Sequence, residues 1–176
     1  MTKFPDHCTL RRGLPADLAH YAALCRETFS ETFRESHTED ALARHVASTF
    51  PDAQLLAELS SAEQTVLAVE AGGAWIAYAL VTRGPAPSGV HGTVPVQIDR
   101  FYVSSAWHGR GVALPLMQAA LNEARQLGGD VAWLGVWEQN LRALRFYFRQ
   151  GFAQVGRHVY LFDGMPEHDL VLALSI

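Results

Sequence analysis

The chain has 176 residues, 49% of them hydrophobic and 18% charged, which fits one folded domain spanning 1–176 and excludes a disordered chain. Its net charge of −4 argues against a nucleic-acid binder, and no run of about 18 apolar residues offers a membrane-spanning helix. Because Cys8 and Cys25 form no disulfide framework and Met1–Asp6 lacks the apolar core of a secretory signal, we expect a cytoplasmic protein.

The N-terminal third predicts one short strand followed by helices. The strand covers 8–12, and Pro15 then opens a helix in which apolar residues recur at helical spacing as far as Phe33. Thr38 precedes two acidic residues and predicts the N-cap of a second helix ending near Ser48. Pro51 predicts the start of a third helix, which ends near residue 59.

The remaining sequence alternates between strand and helix patterns. The pair Gly72-Gly73 predicts a hairpin turn, and the strand at 131–137 is apolar on both faces, as in the centre of a sheet. The predicted strands are 65–70, 74–82, 94–103, 131–137, 152–162 and 169–174, and the predicted helices are 114–127 and 140–150. This order predicts a single α/β domain with a mixed sheet.

A glycine-rich segment, Trp107-His108-Gly109-Arg110-Gly111-Val112-Ala113, joins a predicted strand to a predicted helix. Small residues let a ligand approach the backbone closely, and free N–H groups at a helix N-terminus attract anions. Pyrophosphate is the ligand that such a loop favours. A glycine-rich turn with no ligand has the same pattern, so this segment alone leaves both readings open.

A second motif follows about 30 residues later and reads Asn140-Leu-Arg-Ala-Leu-Arg-Phe-Tyr-Phe-Arg-Gln-Gly-Phe152. Together the two motifs resemble the GNAT superfamily of N-acetyltransferases, which carry Q/R-x-x-G-x-G/A followed by N-x-x-A-x-x-F-Y-x-x-x-G-F. Looser similarity, in Trp133–Asn140 and Gly156–His158, extends to bacterial PaiA-like spermine/spermidine N-acetyltransferases. The resemblance implies a GNAT-like fold with a mixed sheet of about seven strands flanked by helices.

The resemblance also implies acetyl-CoA as cosubstrate and direct transfer of its acetyl group to an amine. It places the pyrophosphate on the loop residues, and the rest of the cofactor on strand and helix residues. The implied cofactor-binding residues are Phe101, Tyr102, Val103, His108, Gly109, Arg110, Gly111, Val112, Ala113, Asn140 and Tyr147. Phe101–Val103 would act through backbone groups freed by a bulge, although a plain ladder strand fits the sequence too. Asn140 would bind the cofactor's amide region or simply cap a helix.

Two side chains are candidates for proton transfer. Tyr147 matches the family tyrosine that protonates the departing thiolate, and packing in the core is the alternative for this aromatic residue. Asp99 occupies the place where similar enzymes carry a glutamate base. A salt bridge with a neighbouring arginine is its alternative, and Glu138 is a second candidate base.

Two positions depart from the family pattern. His108 stands where Gln or Arg is usual, which weakens the positive charge of the loop at neutral pH. Pro115 falls where the helix should already be turning, so the first turn is expected to be late or distorted. The backbone donors precede both effects, and we therefore expect coenzyme A binding to survive.

Acidic residues point to a cationic acceptor. Residues 1–98 hold 11 acidic and 7 basic side chains, whereas 99–176 hold 7 of each. Glu27, Glu31 and Glu35 are spaced by four residues on the first long helix, which borders the acceptor cleft in similar proteins. We expect Glu31, Glu35 and Glu138 to bind a polyamine-like substrate, with a solvated helix face as the alternative for the stripe.

Other functions stay open on the same scaffold. The acceptor could be a protein N-terminus, an amino acid or an antibiotic, or the chain could be a catalytically inactive coenzyme A-binding module. The eight histidines show no metal-site spacing, so no metal is expected. The C-terminal antiparallel strands predict a possible homodimer, by analogy with similar proteins.

Overall fold

The structure is a computed structural model in which residues 3–176 are described. Met1 and Thr2, the start of the segment considered above for a secretory signal, lie outside the described residues. No helix within 3–176 is long and apolar enough to cross a membrane.

One sheet organises the described chain. Its strands are β1 (Cys8–Arg12), β2 (Gln64–Ala71), β3 (Ala74–Arg83), β4 (Pro95–Val103), β5 (Val131–Trp137), β6 (Ala153–Phe162) and β7 (Met165–Ser175). They lie in the order β1-β2-β3-β4-β5-β7-β6. All neighbours are antiparallel except β4 and β5, which are parallel. The predicted α/β fold with a mixed sheet of about seven strands is confirmed.

Helices cover both faces of the sheet. They are α1 (Leu18–Phe33), α2 (Glu39–Thr49), α3 (Asp52–Ser60), α4 (Ala113–Gln126) and α5 (Leu141–Arg149), and a short 3-10 turn (Pro15–Asp17) precedes α1. The helices α1 to α3 share one hydrophobic core with β2 and β3, and α4 and α5 close a second core on the opposite face. Burying both faces explains why β5 is apolar throughout.

Local sequence signals set several helix ends as predicted. Thr38 caps α2, accepting a hydrogen bond from the N–H of Ala41 at 3.3 Å. Pro51 is the N-cap residue of α3. Pro115, in contrast, does not distort α4: the helix begins at Ala113, so the missing N–H of Pro115 falls in the first turn, where an N–H has no helical partner. The expected late start is therefore wrong.

The last strand is longer than the sequence analysis predicted. It begins at Met165 rather than at residue 169, because Asp163 and Gly164 form a two-residue turn with φ of 48° and 80°. An Asp-Gly pair with both φ positive is the favoured type I′ hairpin turn. The tight turn brings residues 165–168 into the sheet opposite β6.

Candidate active site

A cleft opens where β4 and β5 stop pairing. β4 pairs with β5 only at residues 95–97 and 131–133. Beyond that point the backbone groups that face each other on the two strands form no strand pairing. A bulge in β4 lies there too: Val81 pairs with Ile98 and Leu80 with Arg100, which leaves Asp99 as the extra residue. The expectation that the bulge frees backbone groups of Phe101–Val103 for the cofactor stays a prediction.

A cavity of about 710 Å³ fills this cleft and has two halves. The loop half is formed by the glycine-rich loop and α5. Its lining residues are Trp107, His108, Gly109, Gly111, Val112, Ala113, Leu114, Asn140, Arg142, Ala143, Phe146 and Tyr147. The strand half is formed by α1, the ends of α2 and β5, and strands β6 and β7. Its lining residues are Thr28, Phe29, Glu31, Thr32, Phe33, Thr49, Phe50, Gly135, Val136, Trp137, Tyr160, Phe162, Glu167 and Asp169. The β4 residues 98–103 lie between the halves.

The backbone of the loop half fits a pyrophosphate group. Gly109 and Gly111 have φ of 73° and 80°, a region that side chains disfavour, and a Cβ at Gly109 would meet no atom within 4 Å. Within residues 3–176, the N–H groups of Gly109, Gly111 and Val112 donate to no backbone or side-chain acceptor. These free donors precede α4, whose dipole also favours an anion.

His108 bridges the two sides of the loop half. Its Nδ1 accepts a hydrogen bond from Arg142 at 2.7 Å, and its Nε2 lies 2.8 Å from the carbonyl oxygen of Val103. Because arginine can only donate, Nδ1 carries no proton and Nε2–H donates to Val103. His108 is therefore a neutral bridge, and the positive charge beside the loop comes from Arg142, which the sequence analysis missed.

Of the other residues predicted for the loop half, Arg110 lies outside the cavity and Asn140 lines it. The Arg110 guanidinium lies over the Trp107 ring, 5.5 Å from its centroid, and does not line the cavity. Asn140 lines the cavity, but its side-chain oxygen accepts a hydrogen bond from the N–H of Ala143 at 3.1 Å and caps α5. A cofactor contact by Asn140 through its remaining groups stays a prediction.

Tyr147 is 7% exposed and lines the loop half of the cavity. Its ring makes edge contacts with Phe101, Phe146 and Phe152 at centroid distances of 5.5 to 6.2 Å. Burial raises the pKa of the hydroxyl above its usual value. The raised pKa keeps this hydroxyl protonated at neutral pH. It makes no hydrogen bond within residues 3–176, so its proton is available to a ligand in the cavity.

Asp99 is open to the cavity at the boundary of its two halves. One carboxylate oxygen accepts a hydrogen bond from the Gln97 side chain at 3.0 Å. Desolvation by surrounding protein raises the pKa of Asp99, the Arg100 charge opposes this rise, and Glu58 adds to it. The salt bridge considered as an alternative for Asp99 is not formed.

Arg100 pairs instead with Glu58 beneath the strand half. Its two guanidinium nitrogens lie 2.7 and 3.0 Å from the two carboxylate oxygens of Glu58, which is 5% exposed. Tyr21 donates to the same carboxylate at 2.8 Å. This buried network holds the β4 backbone next to the bulge and neutralises the charge of Arg100.

The predicted acidic stripe is only partly at the cavity. Glu31 lines it and accepts hydrogen bonds from the N–H and hydroxyl of Ser105, with the N–H at 3.0 Å. Glu35 lies in the exposed turn after α1 ends at Phe33, so it does not continue the helix face. Glu138 is paired with Arg157 at 2.6 Å and does not line the cavity.

Residues of β6 and β7 were missed by the sequence analysis. Tyr160, Glu167 and Asp169 all line the strand half. The N–H of Asp163 donates to Nδ1 of His45 at 3.0 Å, so the Nε2–H of His45 donates to the Tyr160 hydroxyl at 2.7 Å. Asp-Gly at 163–164 is the sequence signal that could have revealed this hairpin and its inward-facing residues.

No group of three side chains suited to a metal ion occurs within residues 3–176. The groups that the site does offer are the backbone N–H groups of the loop, the protonated Tyr147 hydroxyl, the Asp99 carboxylate at the bulge and the acidic side chains of the strand half. This set of groups suits proton transfer and charge recognition.

Comparison with known proteins gives the family. The acetyltransferase (GNAT) family model matches residues 23–152, and the chain belongs to this family. An uncharacterized N-acetyltransferase of Lactobacillus delbrueckii subsp. lactis is 26% identical over 160 residues, covering 91% of this chain and 92% of that protein. The protein is therefore an acetyl-CoA-dependent N-acetyltransferase with acetyl-CoA as its cosubstrate.

Two solved structures show the same fold. A GCN5-related N-acetyltransferase from Rhodopseudomonas palustris aligns with a TM-score of 0.77 at 21% identity, covering 100% of this chain and 98% of that chain. A PaiA N-acetyltransferase from Thermoplasma acidophilum, in complex with coenzyme A, aligns with a TM-score of 0.74 at 17% identity. That alignment covers 96% of this chain and 99% of the other.

Proposed function

We propose that the acceptor is a small cationic amine of the polyamine type. The observation that carries this proposal is the charge of the strand half. Four carboxylates, Glu31, Asp99, Glu167 and Asp169, line the cavity there or at its boundary, whereas the charge of Arg100 is held by Glu58. An acidic, partly desolvated pocket favours a ligand with several ammonium groups. The resemblance of the sequence to PaiA-like spermine/spermidine N-acetyltransferases supports the same acceptor.

The proposed chemistry divides between the two halves of the cavity. Acetyl-CoA supplies the acetyl group as a thioester. The pyrophosphate of the same cofactor would be bound by the free N–H groups of Gly109, Gly111 and Val112. An alkylammonium with a pKa near 10.4 is about one part in 10³ neutral at pH 7, so a base must take its proton. Asp99 is the proposed base, since desolvation by the surrounding protein raises its pKa and makes it a stronger proton acceptor.

Tyr147 is the proposed acid. Burial keeps its hydroxyl protonated, and that hydroxyl has no partner within residues 3–176 that would compete for its proton. It would donate the proton to the sulfur atom as the amine nitrogen replaces that sulfur on the acetyl carbon. The acceptor enters as an ammonium, so its nitrogen loses two protons: Asp99 would take the first before attack, and the second would return to the Tyr147 oxygen, which balances protons and charge.

A panel of amines tests this proposal. Spermidine, spermine, putrescine, butylamine, alanine and a short peptide would be assayed for free thiol release from acetyl-CoA at two ionic strengths. Spermidine and spermine should give the highest kcat/KM, and added salt should raise their KM more than that of butylamine, because screening weakens the extra charge contacts. If a neutral or anionic amine is the best substrate, the proposed acceptor is wrong.

The proposal also includes a homodimer. The β6–β7 hairpin supports it, since Val159, Leu161 and Met165 are 55%, 61% and 68% exposed at the edge of the sheet. Sedimentation of the purified protein would test the dimer. Cytoplasmic location stays a prediction from the sequence.

A further inference from the structure

The carboxylates of the strand half differ in the hydrogen bonds that they receive from other groups of the protein. Glu31 accepts two hydrogen bonds from Ser105. Glu167 accepts one from the indole N–H of Trp137, and its other oxygen lies 3.0 Å from Nε2 of His37. The protein thus already satisfies both of these carboxylates, and each holds neighbouring elements together. They have less capacity left for a ligand.

Asp169 has no such partner. Its side chain is 16% exposed, it lines the cavity, and no group within residues 3–176 donates a hydrogen bond to its carboxylate. The nearest basic side chain is His158, whose Nε2 lies 3.8 Å from Oδ2 of Asp169, beyond hydrogen-bond distance. Burial raises the pKa of Asp169, as expected for a carboxylate that has left water without receiving donors in return.

Gly135 on β5 keeps the approach to Asp169 open. A Cβ at this position would lie 3.4 Å from Oδ2 of Asp169 and 3.2 Å from Cε1 of His158. Any larger side chain would cover the carboxylate. The glycine and the Asp169 carboxylate both line the cavity.

Asp169 and Asp99 lie on opposite sides of one chamber. Asp99 is on β4 and Asp169 on β7, with β5 between them, and because β4 and β5 no longer pair at these residues the two backbones are separated by more than two strand spacings, about 10 Å. Tyr160 lies near both. Burial raises the pKa of its hydroxyl most, and the negative charges of Asp169 and Asp99 raise it further. Phe33, Trp137 and Phe162 supply apolar walls between the charged groups.

We propose that Asp169 binds a second, non-reacting ammonium group of the acceptor, while Asp99 faces the amine that is acetylated. This inference rests on the proposed function, because it assigns a residue to the acceptor of that reaction. The ammonium would supply the hydrogen-bond donors that Asp169 lacks, and the apolar walls would contact the methylenes between the two nitrogens. Asp169 is then the residue that selects diamines and polyamines over monoamines.

The test compares putrescine with butylamine, which has the same carbon chain and one amine fewer. Asp169→Asn keeps the shape of the side chain and removes its charge. We expect the variant to raise the KM for putrescine about tenfold or more, the size of a lost charge-assisted hydrogen bond, with little change in kcat. The kcat/KM for butylamine should stay within about twofold of wild type.

Two controls separate binding from folding. Glu63→Gln removes an exposed carboxylate outside the cavity and should leave both amines unaffected. Asp169→Asn should have a Tm no lower than wild type, because an unpartnered, desolvated carboxylate does not stabilise the fold. Should that variant fold poorly, Asp169→Ser gives the same comparison, and calorimetric titration of putrescine into the protein loaded with coenzyme A measures binding directly.

The outcomes distinguish the inference from the proposed function. If wild type acetylates putrescine and the variants lose equal activity on both amines, or none on either, Asp169 is not the second ammonium site and the proposed function stands. If wild type binds coenzyme A but acetylates no cationic amine, the proposed function and the inference both fail.

Discussion

The two halves of the cavity are built by different means. The loop half takes its binding groups from the backbone of one continuous segment, residues 107–114, and from residues 140–147 at the start of α5. The strand half takes them from side chains on α1, β6 and β7, which lie far apart in the sequence. The first is suited to an invariant ligand such as coenzyme A. The second can change its ligand through single substitutions.

The largest effect should come from closing the loop half. Gly111→Asp places bulk and negative charge at a position with φ of 80° beside the free N–H donors, so coenzyme A binding should be abolished. In wild type, coenzyme A at a hundredfold excess over its Kd stabilises the protein by about 2.7 kcal/mol, which raises Tm. The variant should show no such rise.

Gly72→Asp is the matched control for that variant. Gly72 also has a positive φ, 60°, and lies in the β2–β3 turn with no atom within 4 Å of an added Cβ. It introduces the same backbone strain away from the cavity, so its coenzyme A response should be retained. Loss of the response in both variants would show that the effect is general destabilisation and would contradict the assignment of the loop.

A smaller effect is expected from the phenol of the loop half. Tyr147→Phe keeps the ring contacts and removes the proton donor, so kcat should fall about 100-fold or more while the Kd for coenzyme A changes little. Because burial raises the pKa of Tyr147, the wild-type rate should not decline from ionisation of this group as the pH approaches 10. A kcat within twofold of wild type would remove Tyr147 from the acid role.

The smallest of these effects concerns the carboxylate at the boundary of the two halves. Asp99→Asn should lower kcat/KM about 10- to 100-fold near neutral pH and less at high pH, where neutral amine is abundant. The pKa of Asp99 is raised in the folded protein, so the acid limb of the wild-type profile should lie above the pH expected for an ordinary aspartate. An equal loss at every pH would assign Asp99 a positioning role.

The sequence predicted the loop half far better than the strand half. Gly109 and Gly111 lie in one local motif and Asn140 and Tyr147 in a second, and the resemblance to the GNAT superfamily placed the two motifs at one cofactor site. The pairing of His108 with Arg142 joins residues 34 positions apart and has no local signal. It could not be read from composition or periodicity.

Errors in the strand half have two physical causes. Glu35 was extrapolated along a helix that ends at Phe33, so the four-residue spacing no longer applied. Glu167 was missed because β7 was predicted to begin at 169, although the Asp-Gly pair at 163–164 favours a tight turn. Asp169 was the first residue of the predicted strand, but the sequence analysis did not assign its side chain to the site. Asp99 was identified only through its place in the family pattern, whereas its bulge depends on pairing with β3.

The number of residues in the turn between β6 and β7 also decides which side chains of the hairpin face the acceptor. Side chains along a strand alternate between faces, so inserting one residue at 163–164 would shift one of the two strands by a single step and exchange its faces. If β7 shifted, Glu167 and Asp169 would leave the cavity, and Pro166 and His168 would take their places; if β6 shifted, Tyr160 would leave. A single-codon insertion at an exposed edge could thus remove two carboxylates from the pocket, giving related enzymes a short evolutionary route to acceptors of different charge.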